Sequence, residues 1–398
     1  MEKKETKDEL KELKANRRMC WRISHFKPIQ KNKIVFSQFG GKGYGCNPKA
    51  ICDEFLRRDE GYDLVWILGK KANPEKSGIP SGVRIVKGED ALKELLTAKV
   101  WINNIHFNVM FHNGLVKRKG TIYLNTFHGG ITLKNEGKDI NTYVEKDFSK
   151  LSLKEQMHRK DAECVDYITI GCDMERHVLE EFFYGNGEIL KLGDARTDVL
   201  VNGSKETVEK VRKFYKISNG TKIVIYAPTF RSDMQLHWYD LKYEEILDAL
   251  EERDGCPYKM LIRLHPRLAG KAKQIVPKSD RFINASGYVD MQELAIASDM
   301  MISDYSSVIT DFLLTGKPAY MYVPDLDKYL KSRGLYFDVD DLPFPRALDT
   351  DQLIDRIKNF DNVSYQKKVA AFLDKLGYLA DGKASQRIVD FLIEKMKA

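Results

Sequence analysis

Two blocks of this sequence repeat one rhythm, in which a short apolar run breaks at a turn and a helical pattern follows. In the first block the apolar runs are "NKIVFSQF", "YDLVWIL", "GVRIVKG", "KVWINNI" and "GTIYLNTFHG", with the helical stretch "DALKELLTA" among them. In the second they are "TKIVIYAPTFR", "YKMLIRLHP", "RFINAS" and "DMMISDY", with helices over "YEEILDALEER", over "DMQELAIAS" and from about Ser307. Strands that alternate with helices close as parallel sheets, because a parallel partner is reached only by a crossover. The expected fold class is therefore α/β, with two Rossmann-type doubly wound domains facing a central cleft at the carboxyl ends of their strands.

A chain of 398 residues exceeds one ordinary core, which supports two domains. The expected division is a basic amphipathic leader over 1–32, a first domain over 33–200 and a second over 201–383. The helix 384–398, amphipathic through Ile388, Phe391, Leu392 and Met396, is expected to return across the domain junction. Between the blocks, "GDARTDVLVNGSKETVEKVRKFYKISNGTK" reads as a polar linker.

No run of about 18 apolar residues exists, so no ordinary spanning helix is expected, and the N-terminus lacks the apolar segment of a secretory signal. Cys20, Cys46, Cys52, Cys164, Cys172 and Cys256 show no CxxC or zinc spacing and read as reduced thiols of a cytoplasmic protein. The net charge of +7 suits a phosphorylated substrate, a nucleic acid or an anionic surface. No nucleic-acid signature accompanies it, so no nucleic-acid partner is expected. Basic residues concentrate before residue 33, interleaved with Leu13, Trp21, Ile23 and Phe26, as a helix lying on anionic lipid requires.

Polar groups gather where strands end. His128 follows one strand, Thr229 and Arg231 another, Arg263 and His265 a third, and Tyr305, Ser306 and Ser307 a fourth. Hydroxyls and free amides at the start of a helix, with nearby cations, suit phosphate oxygens, although Asp304 or Ser306 can equally cap the helix. The run "GGKGYG" matches neither the dinucleotide fingerprint nor a P-loop, and reads as a loop over an acceptor or as a tight strand-to-helix turn. The pairs Asp325 with Asp327 and Asp338 with Asp340 have the chemistry of metal ligands, but such triplets are common on surfaces. No cofactor is expected, with divalent-metal dependence left open.

These segments resemble the CDP-glycerol glycerophosphotransferases of teichoic acid and related cell-surface polymer synthesis. The resemblance rests on "FSQFGGKGYGCNPKAI", "NTFHGGITLK", "LGDARTDVL", "IYAPTFRSD", "LIRLHPR", "SDMMISDYSSVITDFLLTGKP" and "DLDKYLKSRGLYFDVDDLP", in family order over nearly the whole chain. It implies a GT-B-like fold in which the first domain takes the acceptor and the second a CDP-activated donor. An acceptor hydroxyl would attack the donor's β-phosphorus and CMP would leave. The implied donor is CDP-glycerol or CDP-ribitol, and the implied acceptor a lipid-linked saccharide or polymer, met at the inner face of the membrane. A GT-B glycosyltransferase acting on a nucleotide sugar is the alternative, and no oligomeric state is implied.

Carried onto this chain, the resemblance implies His128 and His265 as catalytic residues, with His128 as the base and His265 stabilising the pyrophosphate and the departing CMP, or the reverse. Donor contacts would come from Thr229, Arg231, Arg263, Tyr305, Ser306, Ser307, Asp311 and Arg196. Gly41, Lys42, Tyr44, Asn47 and Gly129 would lie on the acceptor side. The departures from the family pattern ("FHGGIT" for WHG-T-P, "GDARTD" for GYPRND, Cys46 for an acidic residue) fall mainly on that side.

Overall fold

The computed structural model describes residues 7–107, 115–135, 153–176, 187–231, 233 and 235–397. They fall into two compact units, one of Met1–His128, Gly137–Asp198 and Lys383–Ala398, the other of Gly129–Glu136 and Val199–Gly382.

The first unit is built on seven strands: β1 (Gln30–Ser37), β2 (Asp63–Ile67), β3 (Arg84–Val86), β4 (Ala98–Asn103), β5 (Ile122–Asn125), β6 (Tyr167–Ile170) and β7 (Glu188–Lys191). They lie in the order β3-β2-β1-β4-β5-β6-β7, and every pairing is parallel. The pleat sends Ile34 and Phe36 to one face of β1 and Val35 to the other. On the Val35 face lie α1 (Lys7–Phe26) and α3 (Gly88–Thr97), contributing Cys20, Ile23, Leu92 and Leu95. On the opposite face lie α2 (Cys46–Arg58) and the helix Ala384–Lys397, contributing Ile51, Phe55, Ile388 and Leu392. Burial on both faces explains why the central runs 34–36, 64–67 and 100–102 are continuously apolar rather than alternating.

The basic leader is thus partly core. Cys20 and Ile23 turn into the unit, while Trp21 and Phe26 are 58% and 79% exposed.

The second unit carries β8 (Lys222–Ala227), β9 (Tyr258–Ile262), β10 (Phe282–Asn284), β11 (Met300–Ser303), β12 (Ala319–Tyr322) and β13 (Arg346–Ala347). Their order is β10-β9-β8-β11-β12-β13, again all parallel. The helices Tyr243–Asp254 and Thr350–Lys358 pack one face through Leu247, Leu250, Leu353 and Ile357. The segment expected to be a linker is largely helical: Asp198–Asn202 and Lys205–Phe214 are helices, and the latter packs on the helix Met291–Ala297. Its polar composition reflects a mostly solvent-facing surface rather than missing structure, since Val211 is its buried contact.

Residues 129–136, directly after His128, belong to this second unit. Ile131 and Leu133 are buried, Lys134 bridges Leu335, and the Tyr336 N–H donates to the Leu133 carbonyl at 2.8 Å. The Thr310 hydroxyl donates to the Ile131 carbonyl at 2.8 Å.

The helix Ala384–Lys397 closes the apolar face of the first unit, so shortening its fully buried Leu392 leaves a void that the sheet cannot fill. Leu392→Ala is expected to destabilise the unit by about 2–5 kcal/mol, read as a lower midpoint in denaturant unfolding followed by tryptophan fluorescence.

Candidate active site

In each sheet the chain order reverses at one place, between β1 and β4 in the first and between β8 and β11 in the second. Crossovers run outward in both directions from such a pair, which leaves a crevice beyond the carboxyl ends of the two strands. The polar residues found at strand ends in the sequence gather at these two places.

At the first switch point His128 stands beyond β5, solvent-exposed, on a loop held by three asparagines. Asn47 donates from Nδ2 to the carbonyls of Thr126 and Phe127 at 3.1 and 3.3 Å. Asn125 Oδ1 accepts the Phe127 N–H at 2.8 Å. His128 Nδ1 lies 2.9 Å from the Asn104 carbonyl. A carbonyl oxygen only accepts, so Nδ1 carries the hydrogen and the basic lone pair of the neutral ring sits on Nε2. The rings of Phe39 and Phe127 pack against the imidazole at 5.1 and 4.8 Å. Both phenylalanines have left-handed backbones, with φ of 42° and 46°. Non-glycine residues persist there only where the surroundings over-determine them, as the asparagine bonds do here.

Other residues expected on the acceptor side have mixed placements. Lys42 is exposed. Gly41 has φ of +84°, and a Cβ there would lie 2.1 Å from the Gly69 nitrogen. With the Gly41 N–H donating to the Gln38 carbonyl at 2.7 Å, the glycine-rich run is a tight turn. Tyr44 points inward: its hydroxyl donates to Asp53, its ring packs on Trp66 at 4.6 Å, and burial pushes its phenol up, Cys52 and Asp53 adding to the effect. Gly129 follows His128 and opens the segment held by the second unit.

Arg196 lies in the first unit. It is buried, its Nη1 pairs with Asp194 at 3.1 Å, and its N–H donates to Asn47 Oδ1 at 2.8 Å. Next to this pair, burial raises the Glu175 carboxyl well above the ordinary range, Asp194 adding to the rise and Arg196 opposing it. Asn47 therefore links this buried charged cluster to the His128 loop.

At the second switch point Arg231 is the hub. Its Nε and Nη2 donate to Asp325 at 2.6 and 3.0 Å, and its Nη1 donates to Asp304 and to the Thr229 carbonyl, each at 2.8 Å. Burial alone would push the guanidinium down, yet the two aspartates hold it above the ordinary arginine value. The Tyr305 hydroxyl donates to Asp325 at 3.0 Å, and its ring stacks on Tyr329 at 3.6 Å. Asp304 also accepts the Thr229 N–H with both oxygens, at 2.9 and 3.0 Å. Arg231 and Tyr305 thus hold the loops together from beneath.

What this leaves is a set of hydrogen-bond donors, two half-buried, one buried and one exposed. Ser306 and Ser307 are half-buried at the start of the helix Val308–Phe312, and the Thr229 hydroxyl is buried with no hydrogen-bond partner among the described residues. His265 is exposed, and its Nδ1 accepts the Arg267 N–H at 3.2 Å, so its Nε2 carries the hydrogen. Its tautomer is the reverse of that of His128.

Arg263 caps the carbonyl of Ala285 at 3.1 Å and that of Tyr288, and burial lowers its pKa. Asp311 is buried and accepts from Gln292 at 3.2 Å. Of the acidic pairs, Asp325 belongs to the Arg231 clasp, while Asp338 caps a short turn and Asp340 pairs with Arg346. No metal-ligand cluster exists among the described residues.

Residues 19–394 match the family described as CDP-Glycerol:Poly(glycerophosphate) glycerophosphotransferase, and the chain belongs to that family. It is 30% identical over 382 residues to the teichoic acid poly(glycerol phosphate) polymerase of Staphylococcus epidermidis, covering 93% of this chain but 51% of the polymerase. The chain thus spans about half the length of that relative. A teichoic acid glycerol-phosphate transferase of Staphylococcus aureus is 30% identical over 371 residues, 90% of this chain and 92% of that protein. A solved variant of the wall teichoic acid polymerase TagF, soaked with CDPG, superposes with a TM-score of 0.79 at 26% identity, covering 99% of each chain. The two sheets are those of a GT-B-like fold.

The Arg231 clasp generates a prediction about geometry. Lysine keeps the charge but cannot reach Asp304, Asp325 and the Thr229 carbonyl together. Breaking a buried ion pair costs about 3–5 kcal/mol, so Arg231→Lys is expected to lower the thermal midpoint clearly, measured by calorimetry.

Proposed function

We propose that this chain transfers a glycerol-phosphate unit from CDP-glycerol to a hydroxyl of a lipid-linked or polymeric cell-surface acceptor, releasing CMP. The observation that carries the reading is the pair of opposed tautomers. At the first switch point His128 presents a basic nitrogen, suited to taking a proton from an acceptor hydroxyl. At the second, His265 presents an N–H, suited to donating to phosphate oxygen.

In the reaction, the acceptor oxygen forms a bond to the donor's β-phosphorus as its proton passes to His128 Nε2. The bond between that phosphorus and the bridging oxygen breaks, and the electron pair leaves on CMP. His265 Nε2–H and the hydroxyls of Ser306, Ser307 and Thr229 hold the pyrophosphate oxygens and stabilise the charge that develops. Phosphoryl-type transfer asks for alignment and charge stabilisation rather than covalent chemistry from the protein, and these residues supply both. Arg231 acts through Asp304 and Asp325, which set the loops bearing Thr229 and the two serines.

His128→Ala is expected to lower transfer by about a hundred- to ten-thousand-fold with CDP-glycerol affinity near that of the parent. Ser306→Ala is expected to do the opposite, weakening the donor while sparing the acceptor. CMP release from a synthetic lipid-linked acceptor, with calorimetry for the donor and mass analysis of products from CDP-glycerol and CDP-ribitol, checks both. Transfer by His128→Ala within a few-fold of the parent removes it as the base.

A lipid-linked acceptor would be met at the inner face of the cell membrane, and the surface of α1 supports that reading. No described helix is long and apolar enough to cross a membrane. Instead α1 exposes Trp21 and Phe26 beside the exposed Arg17, Arg18, Arg22 and Lys27. Each cation near an anionic surface is worth about 1 kcal/mol, and salt weakens the attraction. Because Cys20 and Ile23 are core residues, point variants test the role more cleanly than removing the helix. The double variant Trp21→Ser with Phe26→Ser is expected to sediment less with anionic vesicles, while its turnover of a soluble acceptor analogue stays at the parent level.

A further inference from the structure

The first switch point contains two residues that the strand-end pattern of the sequence did not single out. Asn103 ends β4 and stands level with Ser37 of β1 and Asn125 of β5, and Asn104 follows it. Both are fully buried. Asn103 Oδ1 accepts the N–H groups of Asn104 and Ile105 at 2.9 and 3.4 Å. Asn104 Oδ1 accepts the Phe39 N–H at 2.9 Å, and the Asn104 carbonyl is the group that fixes the tautomer of His128. These bonds set the orientation of both carboxamides, since a flip would turn each NH2 group toward an N–H donor. Each Nδ2 is then left buried with no partner among the described residues.

A structural role does not account for this arrangement. The bonds that organise the loop use only the oxygens, and the Nδ2 groups take no part in them. What asparagine adds is a pair of N–H donors, and burying them unmet is costly. Two such residues adjoin at the place where parallel α/β sheets bind ligands, and one of them is bonded to the proposed base. Carboxamide N–H donors fit hydroxyl oxygen, whereas the donors proposed for phosphate lie at the second switch point, the serines among them at the start of a helix.

We propose that the Asn103 and Asn104 carboxamides form a polyol-binding element, donating to hydroxyl oxygens of the acceptor's terminal unit next to the hydroxyl that His128 deprotonates. This rests on the acceptor-side reading of the first unit. Both nitrogens are sealed from water, so the oxygens reach them as neighbouring groups shift.

Asn103→Asp and Asn104→Asp retain the organising oxygens and remove the donors. The expected result is an acceptor KM raised on the order of tenfold or more, with donor KM unchanged. Acceptor KM equal to the parent's in both variants, with folding intact by circular dichroism, overturns the proposal. A second measurement uses the parent protein with 15N-labelled asparagine. Millimolar glycerol 3-phosphate is expected to shift the side-chain amide resonances of Asn103 and Asn104, and inorganic phosphate is expected to leave them in place. No shift with glycerol 3-phosphate, or equal shifts with both ligands, overturns the assignment. This measurement needs no turnover. A parent enzyme that released no CMP would refute the proposed reaction while leaving the asparagine test decisive.

Discussion

A parallel strand cannot be reached by a hairpin, and that constraint shapes both units. Each connection must cross over a face of the sheet, and each unit builds outward in two directions from one central pair of strands. The faces of the central strands are consequently buried and apolar, and the carboxyl ends of the central pair are where loops diverge without a crossover between them. Polar chemistry gathers there because the remainder of each sheet is closed to it.

The two switch points manage buried polarity differently. Around His128 the work is done by neutral groups: Asn47, Asn104 and Asn125 hold two aromatic residues in left-handed backbone conformations and fix one imidazole tautomer. At the other, an arginine clasped by two aspartates supports the loops that carry hydroxyl donors. Neutral amides orient the imidazole without placing a charge in direct contact with it, whereas the charged clasp ties together the loops that carry the hydroxyls. The cationic residue most suggestive in the sequence, Arg231, has its donors occupied by protein oxygens, and it acts on the surface through its partners.

Much of the fold was legible in order. The runs around Ile34, Leu64, Val100, Ile225, Met260 and Met301 are strands at the expected places, and the helices over residues 88–97, 243–254 and 291–297 match their patterns. Among the strands, those left unread were β6, β7, β12 and β13, which have four residues or fewer and take their strand character from neighbours in the sheet. The stretch read as a linker is helical because tertiary packing of a few residues such as Val211 outweighs a polar composition. In the site, hydroxyl and imidazole residues at strand ends stood out, while Asn103 and Asn104 did not, because an asparagine pair after a strand ordinarily signals a turn.

The sequence by itself determined the α/β class and the family, because the alternation of apolar and helical runs and the order of the motifs are written along the chain. Tertiary structure decided what each group does. Arg231 and Tyr305 point into a buried network, Tyr44 into the core, and His128 and His265 hold opposite tautomers. Those outcomes depend on which backbone carbonyl or N–H lies within hydrogen-bond reach of each side chain. The partners sit as far as 94 residues away along the chain, as between Arg231 and Asp325, and only the folded sheets bring them together.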